Sequence, residues 1–272
     1  MLQILEAVTA TEAFEKAYKN IDFLGEIVES RIGKTKHLTN VTICLDRPQC
    51  GVCLDPVRNL SLKYLLAELR WYMSGSNKVE DIAPYAKMWY DLTDDGTTLN
   101  SAYGYRIQKM FNFDQLKYCI EKLKQNPYDR QAVIHIKTPS DAPTKDTPCT
   151  CLIQFTCFHG TLEAHVYMRS NDVWLGLPYD MAYFTYLQQA VAKEIGMPLG
   201  KYYHTVGDMH IYERHWNKPV RITTGYREDN LTWDASSVTE EELTKYIENG
   251  ECPSNEALAE LWRMNHGQHQ KD

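Results

Sequence analysis

The chain has 272 residues, 43% hydrophobic and 24% charged, with a formal net charge of −7. That hydrophobic share supports a sizeable core and excludes a disordered chain. The acidic balance argues against direct nucleic-acid binding while leaving room for a local basic pocket.

In chain order, a Thr cap, an acidic first turn and helical apolar spacing predict a helix over "TATEAFEKAYKNIDFLGEIVES". "LSLKYLLAELRWYMSG" is apolar on more than one face and predicts a buried helix ending before Gly75. A third helix follows in "NFDQLKYCIEKLKQNP", stopped by Asn126 and Pro127, and "RQAVIHI" is then a strand. "CLIQFTCF-HG-TLEAHVYM" has the pattern of two strands around a tight turn. "DMAYFTYLQQAVAKEIG" predicts a long central helix and "KYYHTVGDMHIY" a further strand. No repeat or Gly/Ser linker divides the chain, so one α/β domain spanning 1–272 with a mixed sheet is expected. Its segment from about residue 225 is acidic, polar and helix-leaning. No apolar run reaches the length of a membrane span, and the opening lacks a basic stretch followed by a long apolar one. A soluble, cytoplasmic protein without a membrane partner is the expectation.

Eight cysteines in this setting are expected to be reduced thiols. Cys50 and Cys53 form a C-x-x-C, but Cys149 and Cys151 have the wrong spacing for a second zinc pair, so no metal site is expected. Cys149 follows a proline at the start of a strand, where a thiol can be exposed at a sheet edge as a nucleophile requires. Arg169 and Ser170 close the same hairpin; an arginine there favours the thiolate and offers a fork for a phosphate. Asp172 suits a donor pair on a heterocycle. Asp180 stands at the mouth of an apolar helix, where it also suits an N-cap.

These residues sit in stretches that resemble the thymidylate synthase family. "PCTCLIQF", "MRSNDVWLGLPYDMAYF", "VGDMHIYERH", "AELRWYMSGSNKVEDI", "KMWYDLTDDGTTLNSAYG" and "NPYDR" occur in the order and approximate spacing of that family and span most of residues 29 to 215. The resemblance implies a large mixed sheet flanked by helices, with one sheet face forming a homodimer interface. It also implies a nucleoside monophosphate substrate and 5,10-methylenetetrahydrofolate as one-carbon donor. Carried over by residue, Cys149 would add to C6 of the pyrimidine and Glu68 would move protons through ordered water, with Tyr103 in the same water network. Arg169, Ser170 and Arg31 would hold the phosphate, helped by Arg130 from the partner subunit. His210 and Tyr212 would bind the sugar hydroxyl. Asp172 would bind the pterin, with Trp89, Leu175 and Gly176 packing against it. Two departures stand out: the family pairs two arginines where this chain reads Arg130-Gln131, and Met168 stands where many synthases carry glutamine.

Uracil-specific members carry asparagine at the position of Asp180. An amide matches the N3–H donor and O4 acceptor of uracil, whereas a carboxyl group matches the amino group and N3 of cytosine. An ionised aspartate facing O4 would oppose two acceptors, which is costly when buried. Asp180 therefore predicts a cytidylate substrate, dCMP or CMP. Several of the quoted stretches are more similar to the deoxycytidylate hydroxymethylase branch, known from bacteriophages, than to thymidylate-forming members. That branch captures the one-carbon unit with water to give 5-hydroxymethyl-dCMP. The polar ending "WRMNHGQHQKD" is a poor dry lid and agrees with water capture. The alternatives are a dCMP methyltransferase, a CMP hydroxymethylase, a dUMP-specific synthase and a silent nucleotide-binding paralogue.

Overall fold

Thr9 caps the first helix, α1 (Ala10–Leu24), by accepting from the Glu12 amide at 3.2 Å. The helix ends at Gly25, earlier than its apolar pattern predicts. The next residues instead form a strand, β2 (Glu26–Ser30), paired antiparallel with β3 (Gly33–Leu45). Ile27 and Val28 suit that ladder better than a helix end. A short β1 (Gln3–Ala7) precedes α1. The computed structural model describes residues 3–30, 33–222, 232–234 and 238–266.

The remaining elements are α2 (Leu62–Ser74), α3 (Trp89–Leu92), α4 (Tyr103–Gln108), α5 (Gln115–Gln125), β4 (Val133–His135), β5 (Thr150–Phe158), β6 (Thr161–Asp172), α6 (Leu177–Ile195), β7 (Leu199–Tyr212), α7 (Glu240–Asn249) and α8 (Glu256–His266). The strands form one sheet in the order β1-β3-β7-β6-β5-β4, with β2 also on β3. The β1–β3 and β6–β7 pairs are parallel and the others antiparallel, so the sheet is mixed as expected. His159 (φ 49°) and Gly160 (φ 78°) make the tight turn of the predicted β5–β6 hairpin. At its other end the pairing slips between Thr150 and Leu152, a bulge beside Cys149. Such irregularities re-aim side chains where a regular ladder would not.

Helices α1 and α6 pack on the sheet, and α2 lies against α4, α7 and α8. The segment from about 225, read as helix-leaning, supplies α7 and α8. Leu243, Ile247, Ala257, Leu258 and Leu261 from these helices are buried in the same apolar cluster as α2. Asn265 Oδ1 accepts from the Leu62 amide at 2.9 Å, and its Nδ2 donates to Leu60 O at 2.9 Å, which fixes the start of α2. Residues 267–272 of the polar ending lie outside the described residues. At Gly104 the α4 backbone approaches α2 so closely that a Cβ would stand 1.9 Å from Tyr72 O.

The loop that leads to Cys149 is tied down by a buried ion pair. Arg106, 0% exposed, bonds through its guanidinium to both Asp141 oxygens and donates to Ile136 O at 2.6 Å. Burial raises the Asp141 pKa, but Arg106, the Thr138 amide and Asn100 outweigh it and leave the carboxyl below its usual range. Replacing Arg106 with leucine strands a buried carboxylate, so a loss of about 3–5 kcal/mol in denaturant unfolding is expected. The stabilisation from Asp141 is present above the unfolded carboxyl value of about 4 and disappears as pH falls through its lower folded value.

Candidate active site

Tyr64, Glu68 and Tyr72 are four residues apart on α2 and therefore share one face. Glu68 Oε1 accepts from Tyr64 at 2.8 Å and from Tyr72 at 3.4 Å. The Trp89 indole donates to the Tyr64 hydroxyl at 3.1 Å, so α3 braces the same face. Burial is the largest influence on Glu68 and pushes its carboxyl up to about 8; the two tyrosines oppose this, and the charge of Asp180 adds to it. With Oε1 accepting twice, the proton of the neutral carboxyl belongs on Oε2. Trp89 is thus more than an apolar wall: 9% exposed, it is wired to Glu68 through Tyr64.

Tyr103, at the start of α4, stacks on Tyr72 with ring centroids 5.4 Å apart. Its hydroxyl accepts from the Thr150 amide at 3.3 Å, so its own proton points elsewhere. Cys149 is half-buried. Arg169 donates from Nε to Pro148 O at 3.0 Å and from Nη2 to Thr147 O at 2.9 Å, with Nη2 3.7 Å from the Cys149 sulfur. The expectation that Arg169 would leave a thiolate needs correction. Burial dominates and holds the thiol up at about 11; Arg169 pulls it down, while Asp180 and Asp146 push it further up.

Asp180 is one turn inside α6, whose cap is Gly176, so it is not the N-cap its sequence position also suggested. Its Oδ2 accepts from Asn171 Nδ2 at 2.7 Å. Burial raises its carboxyl to about 7, with the Asn171 bond opposing. Gly176 faces that bond: a Cβ there would lie 3.0 Å from Asn171 Nδ2 and 3.2 Å from Asp180 Oδ2. Asp172 Oδ1 accepts from the Trp174 and Leu175 amides at 2.7 and 2.8 Å, shaping the turn into α6. Its Oδ2 is buried without a hydrogen-bond partner among the described residues.

Ser170 and His210 meet across β6 and β7, Ser170 Oγ lying 3.2 Å from His210 Nδ1. Tyr212 stands edge-on to His210 with centroids 5.5 Å apart. His37 stacks on His210 with centroids 5.8 Å apart and is held by Asp208 at 2.7 Å. Arg130 is exposed before β4, its backbone beside Gln154 midway along β5, and so is not gathered with Cys149 in this protomer. Arg31 lies outside the described residues. The thymidylate synthase family model matches residues 12–229, well over half the chain.

The chain belongs to the thymidylate synthase family.

Members of this family carry out folate-dependent one-carbon transfer to a pyrimidine nucleotide, use methylenetetrahydrofolate and typically work as homodimers. The residues present fit a folate: the unpartnered Asp172 Oδ2 offers an acceptor, and Leu175 beside it leaves apolar surface 41% exposed. Among the described residues no group of three or more His, Cys, Asp or Glu side chains is placed to hold a metal ion. Cys53 is fully buried and burial pushes its thiol up to about 12. No described helix is long and apolar enough to cross a membrane.

Several residues of the site carry no expectation from sequence. The i, i+4 spacing of Tyr64 and Tyr72 around Glu68 was a usable signal. Asn171, Tyr202 and His204 left none, because they meet behind Asp180 only through side-chain contacts between neighbouring strands.

Proposed function

We propose that this protein transfers a one-carbon unit from methylenetetrahydrofolate to C5 of dCMP, with water completing the transfer to give 5-hydroxymethyl-dCMP and tetrahydrofolate. The observation that carries the reading is the carboxyl of Asp180, buried on α6 and held by Asn171 through one oxygen only. That leaves Oδ1 and the second acceptor site of Oδ2 for the base. A carboxyl group can accept from the cytosine amino group and share a proton with N3, a pairing that uracil does not match while Oδ2 stays unprotonated. Folate, when bound, supplies the one-carbon unit, and Asp172, Trp89, Leu175 and Gly176 are the residues assigned to hold it.

Cys149 is the nucleophile for C6. Its pKa, raised by burial and by the Asp180 and Asp146 charges, means that the thiol must pass its proton to solvent water as substrate binds. Neutralising Asp180 against the base removes one of the opposing charges, and Arg169 remains to stabilise the thiolate. Glu68, with its proton on Oε2, is the acid/base group for positions near C5. The hydroxyls of Tyr64 and Tyr72 bonded to it, with Tyr103 stacked on Tyr72, give a water the polar partners it needs. Ser170, Arg169 and Arg31 are assigned to the phosphate, and His210 and Tyr212 to the sugar. Arg130, exposed in its own protomer, suits a contact made across a homodimer, and exposed Tyr167 on the outer face of β6 suits the interface.

The product is the decisive test. Incubation with methylenetetrahydrofolate and dCMP, CMP or dUMP, read by mass spectrometry, should give 5-hydroxymethyl-dCMP from dCMP and little from the others. Absorbance from dihydrofolate should stay flat. A rise, with 5-methyl-dCMP as product, would replace water capture by methylation. Glu68→Gln should lower turnover by roughly 10²- to 10⁴-fold, as expected for loss of a general acid/base. Wild-type activity that depends on neutral Glu68 should decline as pH rises through about 8, and the glutamine variant should lack that limb.

A further inference from the structure

Behind Asp180 lies a second set of polar groups that packing alone does not require. His204, in the middle of β7, is 0% exposed, as is Tyr202, and Asn171 is 3% exposed. The Tyr202 hydroxyl is 2.7 Å from His204 Nδ1, and His204 Nε2 is 3.1 Å from Asn171 Oδ1. Asn171 then donates to Asp180 Oδ2 at 2.7 Å. Burial pushes the imidazole down to about 3, so the ring is neutral and carries one hydrogen.

With Asn171 Nδ2 on Asp180, the direction of the chain follows from the orientation of that amide. Asn171 Oδ1 can only accept, so the hydrogen of His204 is on Nε2, and Nδ1 accepts from Tyr202. A reversed chain is also possible on paper. The Asn171 amide would turn over, His204 would accept at Nε2 and donate from Nδ1, and Asp180 Oδ2 would need a proton to meet the Asn171 carbonyl. The tautomer of a histidine that never touches substrate therefore fixes which oxygen of Asp180 can carry a proton. Gly176 leaves the Asn171–Asp180 bond uncrowded, and a Cβ there would press on both partners.

We infer that the Tyr202–His204–Asn171 chain is a positioning device for base selection. It keeps Asp180 Oδ2 an acceptor, free to take the cytosine amino group beside Asn171 Nδ2, and confines any carboxyl proton to Oδ1, where it is shared with N3; uracil would need that proton on Oδ2 to meet O4. Tyr202 and His204 thereby set the preference for cytosine over uracil without contacting either base. This rests on the reading that Asp180 pairs with the base.

Dissociation constants for dCMP and dUMP, measured by calorimetry without folate, test it. Tyr202→Phe removes one oxygen and frees the histidine tautomer; His204→Leu removes the donor to Asn171. Both should lower the dCMP-over-dUMP preference by about tenfold, the effect of roughly one lost hydrogen bond. His204→Gln, whose amide can donate to Asn171 and accept from Tyr202, should restore it. If the variants lower Tm and weaken both nucleotides equally, the chain is only structural and the inference is overturned. Should His204→Leu fail to fold, Tyr202→Phe decides alone. Asp180→Asn separates the two layers. A preference that moves with Asp180→Asn and not with Tyr202→Phe overturns the positioning role alone; one that ignores Asp180→Asn overturns the base reading and the positioning role with it.

Discussion

Replacing Cys149 with serine is expected to reduce turnover by roughly three orders of magnitude or more, the scale seen when a covalent nucleophile is removed. The hydroxyl is close to isosteric with the thiol, and Arg169 would still bond Pro148 and Thr147, so the loop should keep its shape. Binding of dCMP should therefore change little while turnover collapses. The structure adds a reason for the size of the effect. Burial already holds the thiol near 11, so the site gives its nucleophile little advance ionisation. A serine hydroxyl, far harder to ionise, has no means of compensating in the same setting. Rapid-quench trapping of a nucleotide adduct, followed by denaturing mass spectrometry, should detect the covalent species in the wild type and not in the variant. Full turnover by Cys149→Ser would remove the covalent mechanism altogether.

Asp180→Asn is expected to move the preference from dCMP toward dUMP by about 10²-fold in the ratio of kcat/KM values. The estimate corresponds to exchanging one matched hydrogen-bonding edge for an unmatched one in a buried site. The fold should tolerate the change, because the Asn171 amide can turn over so that its carbonyl accepts from the new amide, with the His204 hydrogen moving to Nδ1. In that orientation the amide nitrogen of the new residue serves both the Asn171 carbonyl and uracil O4, and its own carbonyl is left for N3–H. Removing the Asp180 charge should also ease the pKa of Cys149 and of Glu68, since it raises both. A shift to lower pH of the activity limb assigned to Glu68 is the accompanying result. No gain for dUMP relative to dCMP would remove Asp180 as the base-reading residue.

Much of the architecture was legible because it rests on local chemistry. The caps of α1, α2 and α5, the left-handed Gly75 and Gly196 at helix ends, and the His159-Gly160 hairpin turn are all written in short sequence windows. The strands β1, β2 and β3 were not. β1 has five residues, and β3 mixes lysines, threonines and histidine with apolar residues and carries Asn40 at φ 55°. Its identity as a strand is conferred by β1, β2 and β7 on either side, contacts distant in sequence. The same long-range pairing explains why α1 stops at Gly25.

For the site, the sequence by itself determined which reactive groups exist and the family they belong to: a thiol at Cys149, an arginine and serine at Arg169 and Ser170, carboxyls at Glu68, Asp172 and Asp180. What only the tertiary structure decided is the state of those groups. An arginine next to a cysteine suggested a thiolate, yet burial outweighs it. An aspartate before a helix suggested a cap, yet Asp180 lies a turn inside and is held by Asn171. Charge state depends on desolvation and on neighbours brought together by the fold, and Tyr202, His204 and Asn171 reach Asp180 only because β6 and β7 run side by side.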